Sequence, residues 1–150
     1  SYIYDNYGLL PEVHRDDEPC MQRVKGRIIE IFGEKNYNRE IPMPAHWLND
    51  DDSIGFGTHQ LSVIHTPGHS PGSVVYYCKE EQVAFTGDTL FCDFIGRTDL
   101  FGSDKEAYKK SLRKLMQLPD ETVVQSGHTK KTTIGRERLK NSYLLELLRE

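Results

Sequence analysis

Along the chain, the spacing of apolar and polar positions changes character near residue 58. In residues 20–33, Met21, Val24, Ile28, Ile31 and Phe32 recur every three or four positions, which predicts an amphipathic helix stopped by Gly33. Periodicity is then lost. Residues 34–57 hold Pro42, Pro44, Gly55, Gly57 and the run Asp50, Asp51, Asp52, and they predict a long surface excursion in which the acidic run is a solvated turn. From residue 58 onward, short runs rich in β-branched and aromatic residues alternate with Gly and Pro: THQLSVIH, SVVYYC, QVAFTG and, later, TVVQSG. These predict strands, with the charged CKEEQ between the second and third as a hairpin tip.

Between the third and fourth strands the period returns to helical. Ser103 followed by Glu106 has the form of a capping box, and Tyr108, Leu112 and Leu115 then line one face. Lys109, Lys110, Arg113 and Lys114 cover much of the rest, a basic face expected to be solvated and not a nucleic-acid footprint. A last helix is predicted at about 135–149 with Leu139, Tyr143 and Leu147 on its buried stripe. Strands and helices in this order predict an α/β or α+β layered domain.

Composition narrows the class. The chain has 150 residues, enough to bury a sizeable core, with 28% charged residues and a formal net charge of -4. No apolar stretch approaches the ~18 to 20 residues of a membrane span. Mild acidity without a Lys/Arg block argues against nucleic acid or anionic lipid as the main partner. Cys20, Cys78 and Cys92 are odd in number and widely spaced, which fits reduced thiols and a cytoplasmic setting better than a disulfide framework. The sequence starts at Ser1 without Met and without signal-peptide character.

Three residues stand out for chemistry. His69, Asp88 and His128 each follow a β-type run directly and are each preceded by glycine: Gly68, Gly87 and Gly127. If the three strand ends lie side by side, two imidazoles and a carboxylate converge, a ligand set suited to zinc and also to iron or manganese. Asp88 could bridge two cations through its two oxygens. Taken singly, a loop histidine is more often a hydrogen-bonded surface residue, and Thr-Gly-Asp is a common turn. His14, His46, His59 and His65 read as structural or surface histidines. No G-x-S-x-G elbow is present, and neither Cys78 nor Cys92 has a local activating pattern.

Five segments in order carry a resemblance: HTPGHSPGS (65–73), FTGDTLF (85–91), IGRTDL (95–100), LPDETVVQSGH (118–128) and TTIGRE (132–137). Together they resemble the second half of the metallo-β-lactamase superfamily, in its hydroxyacylglutathione-hydrolase or glyoxalase II-like branch. The match covers 58–141 well, and WLNDDDSIGFG (47–57) resembles the segment before it. The resemblance implies an α+β fold, the C-terminal part of an αβ/βα sandwich, with mostly antiparallel strands and flanking helices. It also implies that His69, Asp88 and His128 are metal ligands, with Asp88 bridging. Gln125 and Ser126 stand where the family often has Tyr and Pro.

The family's H-x-H-x-D-H signature occurs nowhere in the chain, and YIYDNYGLLPEVHRDDE (2–18) resembles the helix and strand just downstream of that signature. The expectation is therefore a single partial domain over 1–150, with a helix and loop region at 1–57 and the ligand-bearing half at 58–150. About 60 residues of a longer hydrolase would precede it. The implied reaction is hydrolysis of a thioester or related ester by water whose pKa two metal ions, zinc first, lower to about 7. Arg97 and Asp99 would lie near the site, bracing their loop as an ion pair more readily than touching substrate. Only three ligands are present, so the chain alone is expected to hold metal weakly, to be inactive, and to self-associate through a face left uncovered. A single-iron persulfide dioxygenase and a non-catalytic module that keeps the scaffold are the alternatives.

Overall fold

The computed structural model describes residues 2–33 and 42–149. A short helix α1 (Tyr2–Tyr7) leads to β1 (Val13–His14), a 3-10 turn (Arg15–Asp17) and helix α2 (Glu18–Phe32). Gly33 ends α2 with φ 81° and its N–H on the Ile29 carbonyl, as its place in the sequence predicts. Of the stretch 34–57 read as an excursion, 34–41 lie outside the described residues. The rest is more structured than expected. Strand β2 (Trp47–Leu48) pairs parallel to β1, and β3 (Ser53–Phe56) pairs antiparallel to β4 (His59–His65) through a tight turn at Gly57. Gly57 has φ 58°, the left-handed conformation such a turn needs. In the acidic run, Asp50 receives the His65 N–H at 2.7 Å and the Lys114 ammonium at 2.7 Å, so it is a bonded turn and not merely a solvated one.

The main sheet has six strands in the order β3-β4-β5-β6-β7-β8, with β5 Val74–Cys78, β6 Val83–Gly87, β7 Val123–Ser126 and β8 Thr132–Thr133. All neighbours are antiparallel except β6 and β7, which are parallel and joined over helix α3 (Lys105–Leu115). The four strand runs and the CKEEQ hairpin tip fall where the sequence pattern puts them. The architecture is α+β, a mostly antiparallel sheet with flanking helices, as expected.

Three local expectations are corrected. Helix α3 is capped by Asp104, whose Oδ1 accepts the N–H groups of Glu106 and Ala107 at 2.8 and 2.9 Å. The hydroxyl of Ser103 is used elsewhere, on the His69 carbonyl. Aspartate and serine compete as equals for an N-cap, and tertiary contact decides which is free to cap. Second, Lys109 is buried against the α3 surface with its ammonium 3.5 Å from Glu106, so the basic face is not wholly solvated. Third, the last helix is two: α4 (Ile134–Lys140) and α5 (Ser142–Arg149), broken at Asn141. Buried Asn141 donates to the Phe94 carbonyl and accepts the Leu144 N–H, which starts α5 in a new phase. The buried stripe is consequently Ile134, Leu144 and Leu147, while Leu139 and Tyr143 are exposed.

Core residues Val75, Ala84 and Val124 from the sheet pack with Tyr108, Leu112 and Leu115 of α3 and with Ile134, Leu144 and Leu147. Burial of the valine, leucine and isoleucine side chains among them contributes about 1.5–3 kcal/mol each.

Candidate metal centre

Strand direction assembles the site. Because β4, β5 and β6 are successively antiparallel and β7 is parallel to β6, strands β4, β6 and β7 all run the same way. Their C-terminal ends therefore share one edge, and His69, Asp88 and His128 follow those ends. His69 Nε2 lies 3.7 Å from Asp88 Oδ2, and His128 Nε2 lies 3.4 Å from Asp88 Oδ1. Each imidazole thus faces a different oxygen of one carboxylate. His69 is half-buried, whereas His128 is exposed with its ring 6.0 Å from that of Phe91.

The tautomer of His69 follows from its other nitrogen. Nδ1 lies 2.9 Å from the carbonyl oxygen of Arg97, an atom that can only accept. Nδ1 therefore bears a proton, and Nε2 is the nitrogen that faces Asp88. The β7 side approaches closely: a Cβ built on Gly127 would lie 2.7 Å from Asp88 Oδ1, so a side chain at 127 would displace the carboxylate from this position. Gly127 N–H also donates to the Gly87 carbonyl at 2.8 Å, tying the ends of β6 and β7 together.

Arg97 and Asp99 form a bidentate pair, Nε to Oδ1 and Nη2 to Oδ2, each 2.7 Å. The hydrogen bond from Arg97 holds the Asp99 carboxyl below the usual carboxylate range. Both side chains are well exposed, so the pair shapes its loop at little energetic gain. The Arg97 main chain does more for the site than its guanidinium, through the carbonyl that orients His69. Beside Asp88, a cleft of about 370 Å³ is lined by Glu12, Asp17, Ser70, Tyr76 and Thr86 and offers room for a ligand.

Several bracing residues carry no signal in the sequence because their partners are distant along the chain. Asp17, at the start of α2, does not cap its own helix. Its carboxylate instead accepts the Ser70 hydroxyl at 3.0 Å and the Gly72 N–H at 2.8 Å. His14 is buried and stacked on His65, ring centroids 3.8 Å apart. Burial, then the neighbouring His65, lowers its pKa below the ordinary 6.5. On the other side, Thr129 Oγ1 accepts the Cys92 N–H at 3.1 Å and so fastens the turn that carries His128.

Among the described residues, the groups whose three potential metal donors all lie within 4.8 Å of one another are elsewhere, at His14, Asp16 and His65 and at Cys92, Asp93 and Glu137, whereas His69 and His128 are each close to Asp88 and not to one another by that measure. In the first, His65 Nε2 lies 2.8 Å from the Pro71 carbonyl and so bears a proton, and stacked rings do not aim their lone pairs at one point. In the second, fully buried Glu137 accepts from Thr132, Arg136, Asn141 and the Asp93 N–H. Its oxygens are occupied, and the cluster pins the loop after Asp88 to α4. His46 and His59 stand by Glu12 and Glu81 on the surface. All three cysteines are free. Among the described residues no helix is long and apolar enough to cross a membrane.

The chain is similar to known proteins. Residues 10–128 match the metallo-beta-lactamase superfamily. An uncharacterised protein of Mycobacterium leprae is 47% identical over 148 residues, 95% of this chain and 67% of its own length. The hydroxyacylglutathione hydrolase GloC of Haemophilus influenzae is 40% identical over 107 residues, 68% of this chain and 49% of its own. Among solved structures, TTHA1623 in a di-iron-bound form superposes with a TM-score of 0.80 at 33% identity, over 94% of this chain and 68% of that one. The chain thus spans between half and two thirds of the length of such relatives. The superfamily match embraces β1 to β7 with the ends that carry His69, Asp88 and His128, and by it the chain belongs to the metallo-beta-lactamase superfamily.

Proposed function

We propose that this chain supplies one side of a two-metal hydrolase centre, with His69 and His128 each holding one cation and Asp88 bridging them. The observation that carries the reading is the split geometry of Asp88, one oxygen toward each Nε2. The fixed Nδ1–H of His69 adds support, since a ligating imidazole is usually oriented by an acceptor on its far nitrogen. Nitrogen and carboxylate donors suit zinc, and iron is the alternative cation because the similar TTHA1623 was solved with two irons. A bound pair of cations would supply an activated water and a Lewis acid for a carbonyl. The chain's own residues position that chemistry: Asp17 and Ser103 hold the His69 loop, and the cleft beside Asp88 admits a small substrate.

The substrate class proposed is a small acyl-thioester, in keeping with the likeness to a hydroxyacylglutathione hydrolase. Each cation would receive one histidine and one shared oxygen here, short of the four ligands usual for zinc, so this chain by itself holds metal weakly and does not turn over thioester. Stoichiometric tight zinc by elemental analysis, or thioester hydrolysis above buffer by the 150-residue chain, overturns that limit. In a form extended to its relatives' length, D88A is expected to lose both metal and hydrolysis, and full retention of both overturns the site. The partner proposed beyond substrate is a second copy of this chain on the apolar sheet face around exposed Phe85; a monomer by light scattering at high concentration overturns it.

A further inference from the structure

We infer that Tyr108 is the positioning residue of the metal centre, a clasp whose hydroxyl fixes Asp88 and His69 relative to each other. The inference rests on the reading of those two residues as ligands. Tyr108 belongs to the first turns of α3, is fully buried, and points its ring beneath the ligand-bearing edge. Its hydroxyl donates to the Thr89 carbonyl at 2.5 Å and accepts the Gly96 N–H at 2.6 Å. Those partners are the two ends of one loop. Thr89 follows Asp88, and Gly96 precedes Arg97, whose carbonyl takes the Nδ1 proton of His69. One hydroxyl therefore tightens the loop that carries the bridging carboxylate at its start and the orienting acceptor of His69 at its end, a loop whose ends are otherwise joined by the longer Gly96 N–H to Thr89 carbonyl bond at 3.5 Å and the Leu90–Ile95 bridge.

The same side chain meets the His69 loop directly. A Cβ on Gly68 would lie 2.2 Å from Tyr108 Cβ, so the residue before His69 rests against the tyrosine backbone and tolerates no side chain. The helix start adds two more ties to this loop: Asp104 N–H to the Gly68 carbonyl at 2.9 Å, and Ser103 Oγ to the His69 carbonyl at 2.8 Å. Phenylalanine at 108 would fill the same apolar volume and keep these ties while removing only the clasp. A buried N–H and a buried carbonyl would then lose their best partner, and the loop would respond by shifting.

The test is Y108F, read by imidazole nitrogen NMR and amide exchange on the metal-free chain. In the wild type, His69 is expected as the single Nδ1–H tautomer with a protected Gly96 amide. In Y108F, circular dichroism should be unchanged, Gly96 protection should fall, and His69 should become a tautomer mixture. Cobalt(II), titrated as a probe of the weak site, should bind about tenfold more weakly than to the wild type, the usual size of losing an orienting partner. A Y108F protein with His69 still wholly Nδ1–H and Gly96 still protected overturns the inference. So does L112A, a core change on the same helix, if it disturbs the His69 tautomer as much. Should Y108F fail to fold, the wild-type Gly96 amide decides: exchange as fast as that of an unstructured amide overturns the clasp. If cobalt does not bind at all while the tautomer responds to Y108F, the ligand reading fails and the clasp stands.

Discussion

Two neighbours on β6 face opposite ways and meet different surroundings: Ala84 is fully buried, whereas Phe85, the next residue, is 45% exposed. Alternation along a strand makes this a comparison of whole faces. On the Ala84 side, Val75 and Val124 are fully buried under α3 and α5. On the Phe85 side, Tyr76 and Gln125 flank it in register, and Gln125 is exposed like Phe85. Apolar exposure continues onto α1 and α2, at Tyr2, Ile3, Val24, Ile31 and Phe32. The two faces thus have unequal cover: the core cluster lies on the Ala84 side, while on the Phe85 side burial is confined to positions such as Val63, which pairs with Tyr76. The site sits where the two regimes meet, on an edge fixed from beneath by α3 and steadied from the open side by the Asp17 carboxylate at the start of α2.

The largest effect that this comparison predicts is in the covered layer. Leu112→Ala, at a position with no exposure, should cost about 3 kcal/mol in equilibrium urea unfolding. Phe85→Ser, on the open face, should stay within about 0.5 kcal/mol and lower any self-association seen by light scattering. Equal losses for the two would erase the distinction between the faces.

How much of this could be read from residues alone varies with the distance over which each feature is encoded. The four strand runs, the CKEEQ turn and the Gly33 stop are local, and they lie where the pattern puts them. The ligand candidates were visible as Gly-preceded strand ends, yet their meeting depended on the common direction of β4, β6 and β7, which no local pattern states. Competition was the second obstacle. Ser103 and Asp104 are both good caps, and only the His69 carbonyl 34 residues away decides between them. Asn141 breaks the last helix because Phe94 and Glu137 hold its side chain, so the stripe Leu139, Tyr143, Leu147 that periodicity suggests turns outward in part. Short strand β3 was hidden by Gly55, although the Gly57 turn ahead of HQLSVIH was a hairpin cue.

A smaller effect is expected where the open side is tied to the site. Asp17→Ala removes the acceptor of the Ser70 hydroxyl and of the Gly72 N–H, two bonds bridging more than 50 residues of chain. Loss of a carboxylate acceptor for two part-buried donors costs about 1–3 kcal/mol, less than the core change because water can reach the donors. The checking measurement is exchange at the Gly72 amide: it should lose protection in Asp17→Ala and keep much of it in Asp17→Asn, which still offers Oδ1. Unchanged protection in Asp17→Ala would mean the 66–73 loop is held from the covered side alone.

The smallest effect is a dependence on pH carried by His14, the buried histidine of the open side. Its pKa is lowered by burial first and by the stacked His65 second, against the opposing pull of Asp16, Asp17 and Asp50. A folded-state pKa below the unfolded value means that the unfolded chain binds the proton more readily in the interval between the two. The stabilisation from neutral His14 is therefore fully present above about pH 6.5, declines as pH falls below that value, and levels off once the folded-state group also protonates. Unfolding of the wild type and of His14→Gln, compared from pH 7.5 down to 5, should show the wild type losing stability faster, by less than the loss in Leu112→Ala or Asp17→Ala. Identical slopes for the two would show that the His14–His65 stack accepts a proton without cost, and that this corner of the open face is as loosely held as Phe85.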